Sequence, residues 1–268
     1  MTRFERDTAV TRADDGAFDV RIDRGWWIVV GPNGGYVAAI VLRALEAALA
    51  DPMRAPRSLT VHYVEPAVEG PARVHVRVER SGRSLSALSA RLEQDGRLVA
   101  LALAAFGRPR DSLEFQDLQM PEVAPPESLP TDPPPTMRTM PMRERFETRR
   151  ALGSIEPGTS ARAETGGWLR LAEPHRPDPP ALAMFCDAWP PSIRQRQALG
   201  AAGLRGVPTI DLTVHFRAPL PAHARPDDFY LCVFRTQTAR GGFLEEDGEI
   251  WTRDGVLLAQ SRQLALLI

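Results

Sequence analysis

The sequence predicts an α+β protein assembled twice, each half an antiparallel sheet curved around one buried helix. Three observations carry that expectation. The stretch Gly31–Leu49, GPNGGYVAAIVLRALEAAL, passes from a Gly/Pro/Asn turn into a segment apolar on nearly every face, and a helix hydrophobic all round is a buried one. A run of alternating, turn-punctuated segments follows it, as strands of one antiparallel sheet would. Beyond residue 142 the pattern restarts. Leu59-Thr60-Val61-His62-Tyr63 returns as Leu212-Thr213-Val214-His215-Phe216, an offset of 153 residues, and ordered echoes at a similar offset mark an internal duplication.

Taken in order, Asp19–Val30 alternates and then turns apolar through Trp26, Trp27, Ile28, Val29 and Val30, which predicts a first strand. Gly34 and Gly35 suit a tight entry and close backbone packing at the start of the helix. Strands are predicted over Arg57–Val64, Ala72–Arg80, Ser84–Gln94 and Arg97–Gly107. Asp95-Gly96 between the last two is a hairpin signal. From Arg108 to Met142 prolines fall at 109, 121, 125, 126, 130, 133, 134, 135 and 141 with little apolar periodicity, the character of a linker or a draped loop. The division expected is therefore 1–110, a linker over 111–141, and 142–268. In the second half Gly167-Trp168 echoes Gly25-Trp26, and Asp254-Gly255 followed by Val256–Ala259 echoes the first hairpin. The second helix is placed at Ala181–Trp189, stopped by Pro190-Pro191, with a helical pattern resuming over Ser192–Ala202.

Composition narrows the function. The formal net charge is −1 and the charged fraction 25%, so neither nucleic acid nor an anionic membrane is expected as partner. All basic side chains are arginine, which reads as compositional bias. Two cysteines, Cys186 and Cys232, fit a reducing compartment rather than a disulfide framework. The opening MTRFERDTAV has no apolar signal core, and a cytoplasmic protein is expected. His62, His75, His175, His215 and His223 show no metal-ligand spacing with each other or the cysteines, so neither metal nor cofactor is expected. There is no GxSxG elbow, P-loop or GxGxxG. Arg80, Arg83 and Arg91 are read as a solvated face, and Cys186 as a small buried apolar residue.

Three residues stand out. Asp187 interrupts the apolar run Ala183–Trp189, where a carboxylate is costly to bury. It either caps the segment that begins at Pro190 or does chemistry. Thr209 precedes the repeated strand motif and on its own reads as an ordinary strand residue. Alternation in the last strand puts Ser261 and Gln263 on the face of Ala259 and Ala265, where an inward glutamine needs partners.

On these residues the chain resembles the acyl-CoA thioesterase II family over nearly its whole length. The matching pieces are Gly34-Gly35, Arg57-Ser58-Leu59 with Tyr63 and Pro66, Ser81-Gly82-Arg83-Ser84, Asp187, Thr209-Ile210-Asp211, Phe216-Arg217, and Asp254-Gly255-Val256-Leu257 running to Gln263. Leu212-Thr213 stands where members often carry His-Ser, and the double proline after Trp189 is a further departure. The resemblance implies a double hotdog, two tandem hotdog repeats whose sheets join into one, and self-association as a homodimer or larger homo-oligomer. It also implies hydrolysis of a small-molecule acyl-CoA in fatty acid metabolism by water that Asp187, Thr209 and Gln263 bind and orient. Asp187 would act as general base. The turn at Asn33-Gly34-Gly35 would offer N–H donors to the oxyanion. The acyl chain would lie against Phe185, Trp189 and Phe216. Two rivals stand beside this reading: a non-catalytic acyl-CoA or lipid-binding module, and a hotdog hydratase or dehydratase, which would pair a histidine with a carboxylate.

Overall fold

The computed structural model describes residues 1–133, 140–197 and 204–268. A short helix α1 (Arg3–Asp7) leads into β1 (Thr11–Arg12) and β2 (Phe18–Ile22). Helix α2 (Gly34–Leu49) follows, then β3 (Ala55–Tyr63), β4 (Gly70–Ser81), β5 (Leu85–Gln94) and β6 (Arg97–Gly107). The second half runs β7 (Phe146–Leu152), β8 (Ala163–Leu171), helix α3 (Pro179–Phe185), β9 (Thr209–Phe216), β10 (Tyr230–Thr236), β11 (Ala239–Arg240), β12 (Phe243–Trp251) and β13 (Leu257–Leu266). All the pairings between these strands are antiparallel. They join into a single sheet in the order β1-β2-β4-β5-β6-β3-β9-β13-β12-β10-β8-β7, with β11 on β12.

The duplication is written into that order. The two halves meet where β3 pairs with β9, Leu59 opposite Val214, Thr60 opposite Thr213 and Val61 opposite Leu212. Thr60 and Thr213 are repeat mates at the sequence offset of 153, and their hydroxyls lie 3.0 Å apart. In an antiparallel pair a residue faces its own mate only on the twofold axis, so the pseudo-dyad passes between these threonines. Both halves carry a bulge at the same place. The β3–β6 register skips Arg57, and the β9–β13 register skips Ile210. The two Asp-Gly turns also correspond, joining β5 to β6 and β12 to β13. Asp95 and Gly96 both have positive φ, 51° and 73°, as a tight two-residue hairpin requires.

Helices α2 and α3 lie on the inner face. Ten of the sixteen residues of α2 are buried, Tyr36 through Leu42 among them. They meet the inward side chains of β3 to β6, including Leu59, Val61, Leu88 and Phe106, in one core that continues under α3. The outer face of the second half is covered differently. Trp168, Leu231, Val233 and Trp251 form a separate cluster under Met120, Val123 and Leu129 of the proline-rich segment, which is pinned by a hydrogen bond from Trp168 Nε1 to the Ala124 carbonyl (2.8 Å). Prolines hold that segment extended while it lies on the sheet.

Three expectations are corrected. Trp26–Val30 is not strand. Asp23 caps a 3-10 turn at Arg24–Trp26, and a tight loop closes with Ile28 N–H donating to the Gly31 carbonyl (2.9 Å). Trp26 is buried and stacked on Tyr36, centroids 5.1 Å apart, and Trp27 is buried beside it, whereas Ile28, Val29 and Val30 are exposed in the loop. Gly25-Trp26 therefore sits in a turn, whereas Gly167-Trp168 lies inside β8, and this echo is not part of the repeat. The central helix starts at Gly34, after the Gly/Pro/Asn turn as expected, and Asn33 caps it through its side chain. The second helix ends at Phe185, short of Trp189, and a 3-10 turn takes up Ser192–Gln195. Residues 198–202 of the predicted helical stretch lie outside the described residues.

Candidate active site

The N-terminus of α2 abuts the C-terminal end of α3, and Asp187 lies between them. Helix α3 is entered through Pro179-Pro180 behind the cap Asp178, ends at Phe185 and is capped by Cys186, which puts Asp187 directly after the cap. Glycine at 34 and 35 lets the two elements touch. A Cβ at Gly35 would stand 2.7 Å from the Met184 carbonyl oxygen and 3.0 Å from the Asp187 Cβ.

The Asp187 carboxylate is held on both oxygens. Oδ2 accepts from Asn33 Nδ2 (2.8 Å) and from the Gly35 N–H (2.9 Å). Oδ1 accepts from Gln263 Nε2 (3.2 Å). Asn33 is buried and fully engaged, since its Nδ2 also reaches the Asp187 carbonyl (2.7 Å) and its Oδ1 receives the Tyr36 N–H (2.9 Å). The Gln263 amide is oriented in turn by Thr209, whose hydroxyl donates to Gln263 Oε1 (2.8 Å). The bonds therefore run one way, from Thr209 to Gln263 to Asp187, and this fixes which end of the amide faces the carboxylate.

The bulge makes that line possible. Along β9, Leu212 and Val214 point inward, and strict alternation from them would turn Thr209 outward. The extra residue Ile210 shifts the parity, so Thr209 lies opposite inward-facing Ala265, on the same face as Gln263.

Burial raises the Asp187 carboxyl to about 6, opposed by the hydrogen bonds from Gly35, Gln263, Gly34 and Asn33. The positive end of the α2 dipole supports its ionised form. Beside it, Tyr63 donates its hydroxyl proton to the Gly34 carbonyl (2.7 Å). Burial, followed by the charges of Asp187 and Asp211, pushes its phenol well above the usual range. Cys186 is buried, and burial raises its thiol to about 12, consistent with the apolar role expected of it.

Of the residues singled out in the sequence, Asp187, Thr209, Gln263, Asn33, Gly34 and Gly35 come together. Asp187 does not cap the Pro190 segment, as one alternative had it. It lies instead against the helix of the other half. The N–H groups at the turn, expected to face an oxyanion, are turned to the Asp187 carboxylate. Phe185 is in the core between Phe146 and Tyr230. Trp189 is buried and donates from Nε1 to Thr165 Oγ1 (3.1 Å), and Phe216 lines the core at the far end of β9. Sequence reading missed Glu246 of β12, which is buried and pairs in register with Gln263. The acidic run Glu245-Glu246-Asp247 inside an alternating strand was its signal, since one of three consecutive side chains at least must point inward.

Two curved antiparallel sheets fused edge to edge, each wrapped on its own helix, make a double hotdog protein. The chain belongs to the acyl-CoA thioesterase family: the profile of the acyl-CoA thioesterase N-terminal domain matches residues 23–107 and that of the C-terminal domain residues 123–267. Among solved structures it is similar to a hot dog fold protein of Alicyclobacillus acidocaldarius, with 29% identity, a TM-score of 0.88, and 100% of this chain and 98% of that one covered. The acyl-CoA thioesterase II TesB2 of Mycobacterium marinum shares the fold at 22% identity and a TM-score of 0.78, over 99% and 98% of the two chains. The thioesterase-like protein TwmA of Talaromyces wortmannii is 34% identical over 97 residues, 35% of this chain and 28% of that protein, so the match spans under a third of that relative. No helix among the described residues is long and apolar enough to cross a membrane.

Proposed function

We propose that this protein hydrolyses acyl-CoA thioesters to the free acid and CoA, with Asp187 as general base and Thr209 and Gln263 as the groups that orient the attacking water. The observation that carries this reading is the one-way line from Thr209 through Gln263 to a carboxylate already anchored on its other oxygen. Asp187 Oδ2 is occupied, so Oδ1 is the oxygen that would receive a proton. The Thr209 hydroxyl gives its proton to Gln263 and keeps a lone pair for a water hydrogen. A water held between Thr209 and Asp187 Oδ1 would transfer one proton to the carboxylate as its oxygen attacks the thioester carbon. The tetrahedral intermediate then expels the thiolate, which needs no strong acid to leave, and the proton on Asp187 returns to solvent or to the thiolate.

Release of free thiol from a panel of short, long and aryl acyl-CoAs tests the reading. Turnover on at least one member is expected, and no release from any member would overturn it. The pH profile is a second test. Asp187 works ionised, so kcat/KM should fall tenfold per pH unit on the acid side of the Asp187 titration near 6. A flat profile between pH 4.5 and 7 would exclude a carboxylate base of this kind.

A further inference from the structure

Glu246 is buried on β12 directly across from Gln263 of β13. Side chains opposite each other in an antiparallel pair share a face with their Cβ atoms about 5 Å apart, so Glu246 stands beside the amide that bonds Asp187. Its Oε2 accepts the Ser192 N–H (2.5 Å), and the Ser192 hydroxyl pairs with Thr236 Oγ1 (2.9 Å). Glu246 thus ties down the far end of the short segment that begins at Asp187.

The repeat shows that the fold does not require an acid here. Leu59 and Leu212 are repeat mates. Ala104 pairs with Leu59 as Gln263 pairs with Leu212, and Leu88 pairs with Ala104 as Glu246 pairs with Gln263. By the same register Pro56, opposite Phe106, corresponds to Thr209, opposite Ala265. The first half fills all three places with Pro56, Ala104 and Leu88, and Leu88 is fully buried. The second half fills them with Thr209, Gln263 and Glu246. A buried carboxylate is costly where a leucine satisfies the same architecture, and it occurs in the half that carries the other polar residues of the site.

We propose that Glu246 is a second carboxylate of this site, a positioning residue that anchors the segment carrying Asp187 and strengthens Asp187 as a base through its negative charge. This rests on the thioesterase reading above. The charges that act on Glu246 are both acidic, Asp187 from the segment after α3 and, from the opposite face of its own strand, Glu245. Ser192 and, across the strand pair, Gln263 of β13 are neutral neighbours, and no ion pair to Glu246 forms among the described residues. Burial, and then the charge of Asp187, lifts its carboxyl to about 7 with the Ser192 hydrogen bonds opposing. Two acids so placed lose their protons in coupled steps, and the second negative charge makes the first carboxylate hold a proton more tightly.

The test compares wild-type protein, Glu246→Gln and Glu246→Leu. Glutamine keeps an acceptor for the Ser192 N–H without the charge, and leucine is the first half's own solution. Carboxyl-carbon NMR, with the Asp187 resonance identified by its loss in Asp187→Asn, should show Asp187 titrating in two steps in wild type and in one step in Glu246→Gln. For the thiol-release reaction at pH 8, kcat should fall about threefold to tenfold in Glu246→Gln with KM unchanged, as expected for a weakened base, and the upper inflection of the pH profile should disappear. Glu246→Leu removes the acceptor of the buried Ser192 N–H and should melt below both wild type and Glu246→Gln. A one-step Asp187 titration in wild type, or a variant with lowered melting temperature and an unmoved pH profile, would overturn the proposal. The NMR titration decides the coupling even if no acyl-CoA is hydrolysed, and that second result would count against the thioesterase reading alone.

Discussion

Asp187→Asn should abolish thiol release from acyl-CoA, by about 10²- to 10⁴-fold in kcat, the range expected for loss of a general base, while acyl-CoA binding stays within a few fold. The substitution preserves shape but not hydrogen-bond polarity. The carboxylate accepts from Asn33 Nδ2 and the Gly35 N–H on one oxygen and from Gln263 Nε2 on the other. An asparagine has one acceptor and one donor end, so one side must set N–H against N–H. If that side faces Gln263, the glutamine amide must turn over, and the Thr209 hydroxyl then loses its acceptor. The variant therefore lacks both the base and the ordering of the water. Isothermal titration with a non-hydrolysable acyl-CoA thioether, beside thiol release, separates the two functions. Unchanged turnover would remove Asp187 from the mechanism.

The same variant reports on proton linkage. Burial raises the folded-state Asp187 carboxyl from 3.8 to about 6, so the folded protein holds this proton more tightly than the unfolded chain. The stabilisation linked to it is fully present below the unfolded value, about 4, and is lost as pH rises through 6. Two pH units correspond to about 3 kcal/mol at most. The melting temperature of wild type relative to Asp187→Asn should therefore fall between pH 4 and 7, and a difference independent of pH would show that the carboxyl is not raised.

Much of this was legible in the chain before any coordinates. The LTVHY/LTVHF echo revealed the duplication, and the structure places these two strands at the seam that fuses the halves. Glycine at 34 and 35 marked the close approach of a helix end, and alternation placed Gln263 inward. What stayed hidden depended on tertiary partners. Nothing local says that Asp187 answers to Asn33, 154 residues away. Nothing local reveals a bulge at Ile210, without which Thr209 would be read as outward. Trp26–Val30 misled because Trp26 and Trp27 are buried from a turn, Trp26 against Tyr36, while the apolar Ile28, Val29 and Val30 are exposed in the loop that follows. Glu246 was overlooked because a charged triplet on a strand is ordinarily a solvated edge, and its environment exists only when β12 and β13 pair.

Gly35→Ala is expected to cost at least about 100-fold in turnover with destabilisation of about 1–3 kcal/mol, the ranges for a roughly 1 Å displacement of reacting groups and for an overpacked core. Local propensity argues the other way. Gly35 lies in the first turn of α2 with helical backbone, where alanine is favoured by up to about 1 kcal/mol. Packing decides, because the added methyl would stand 2.7 Å from the Met184 carbonyl oxygen and 3.0 Å from both Met184 Cα and Asp187 Cβ. Two of those atoms are backbone, so no side-chain rotation relieves the contact, and α2 and α3 must separate. Separation lengthens the bond from the Gly35 N–H to Asp187 Oδ2 and draws Asp187 Oδ1 from Gln263. The loss should appear in kcat more than in KM, since the displaced group is the base rather than a binding contact. Gly34→Ala meets mainly side-chain atoms, Asp187 Oδ2 and the Tyr63 ring at 3.0 Å, which can yield, and should be the milder variant. Steady-state kinetics with thermal melts of both variants checks the order. A Gly35→Ala protein as active as wild type would mean that the helix ends tolerate a wider gap than this site geometry allows.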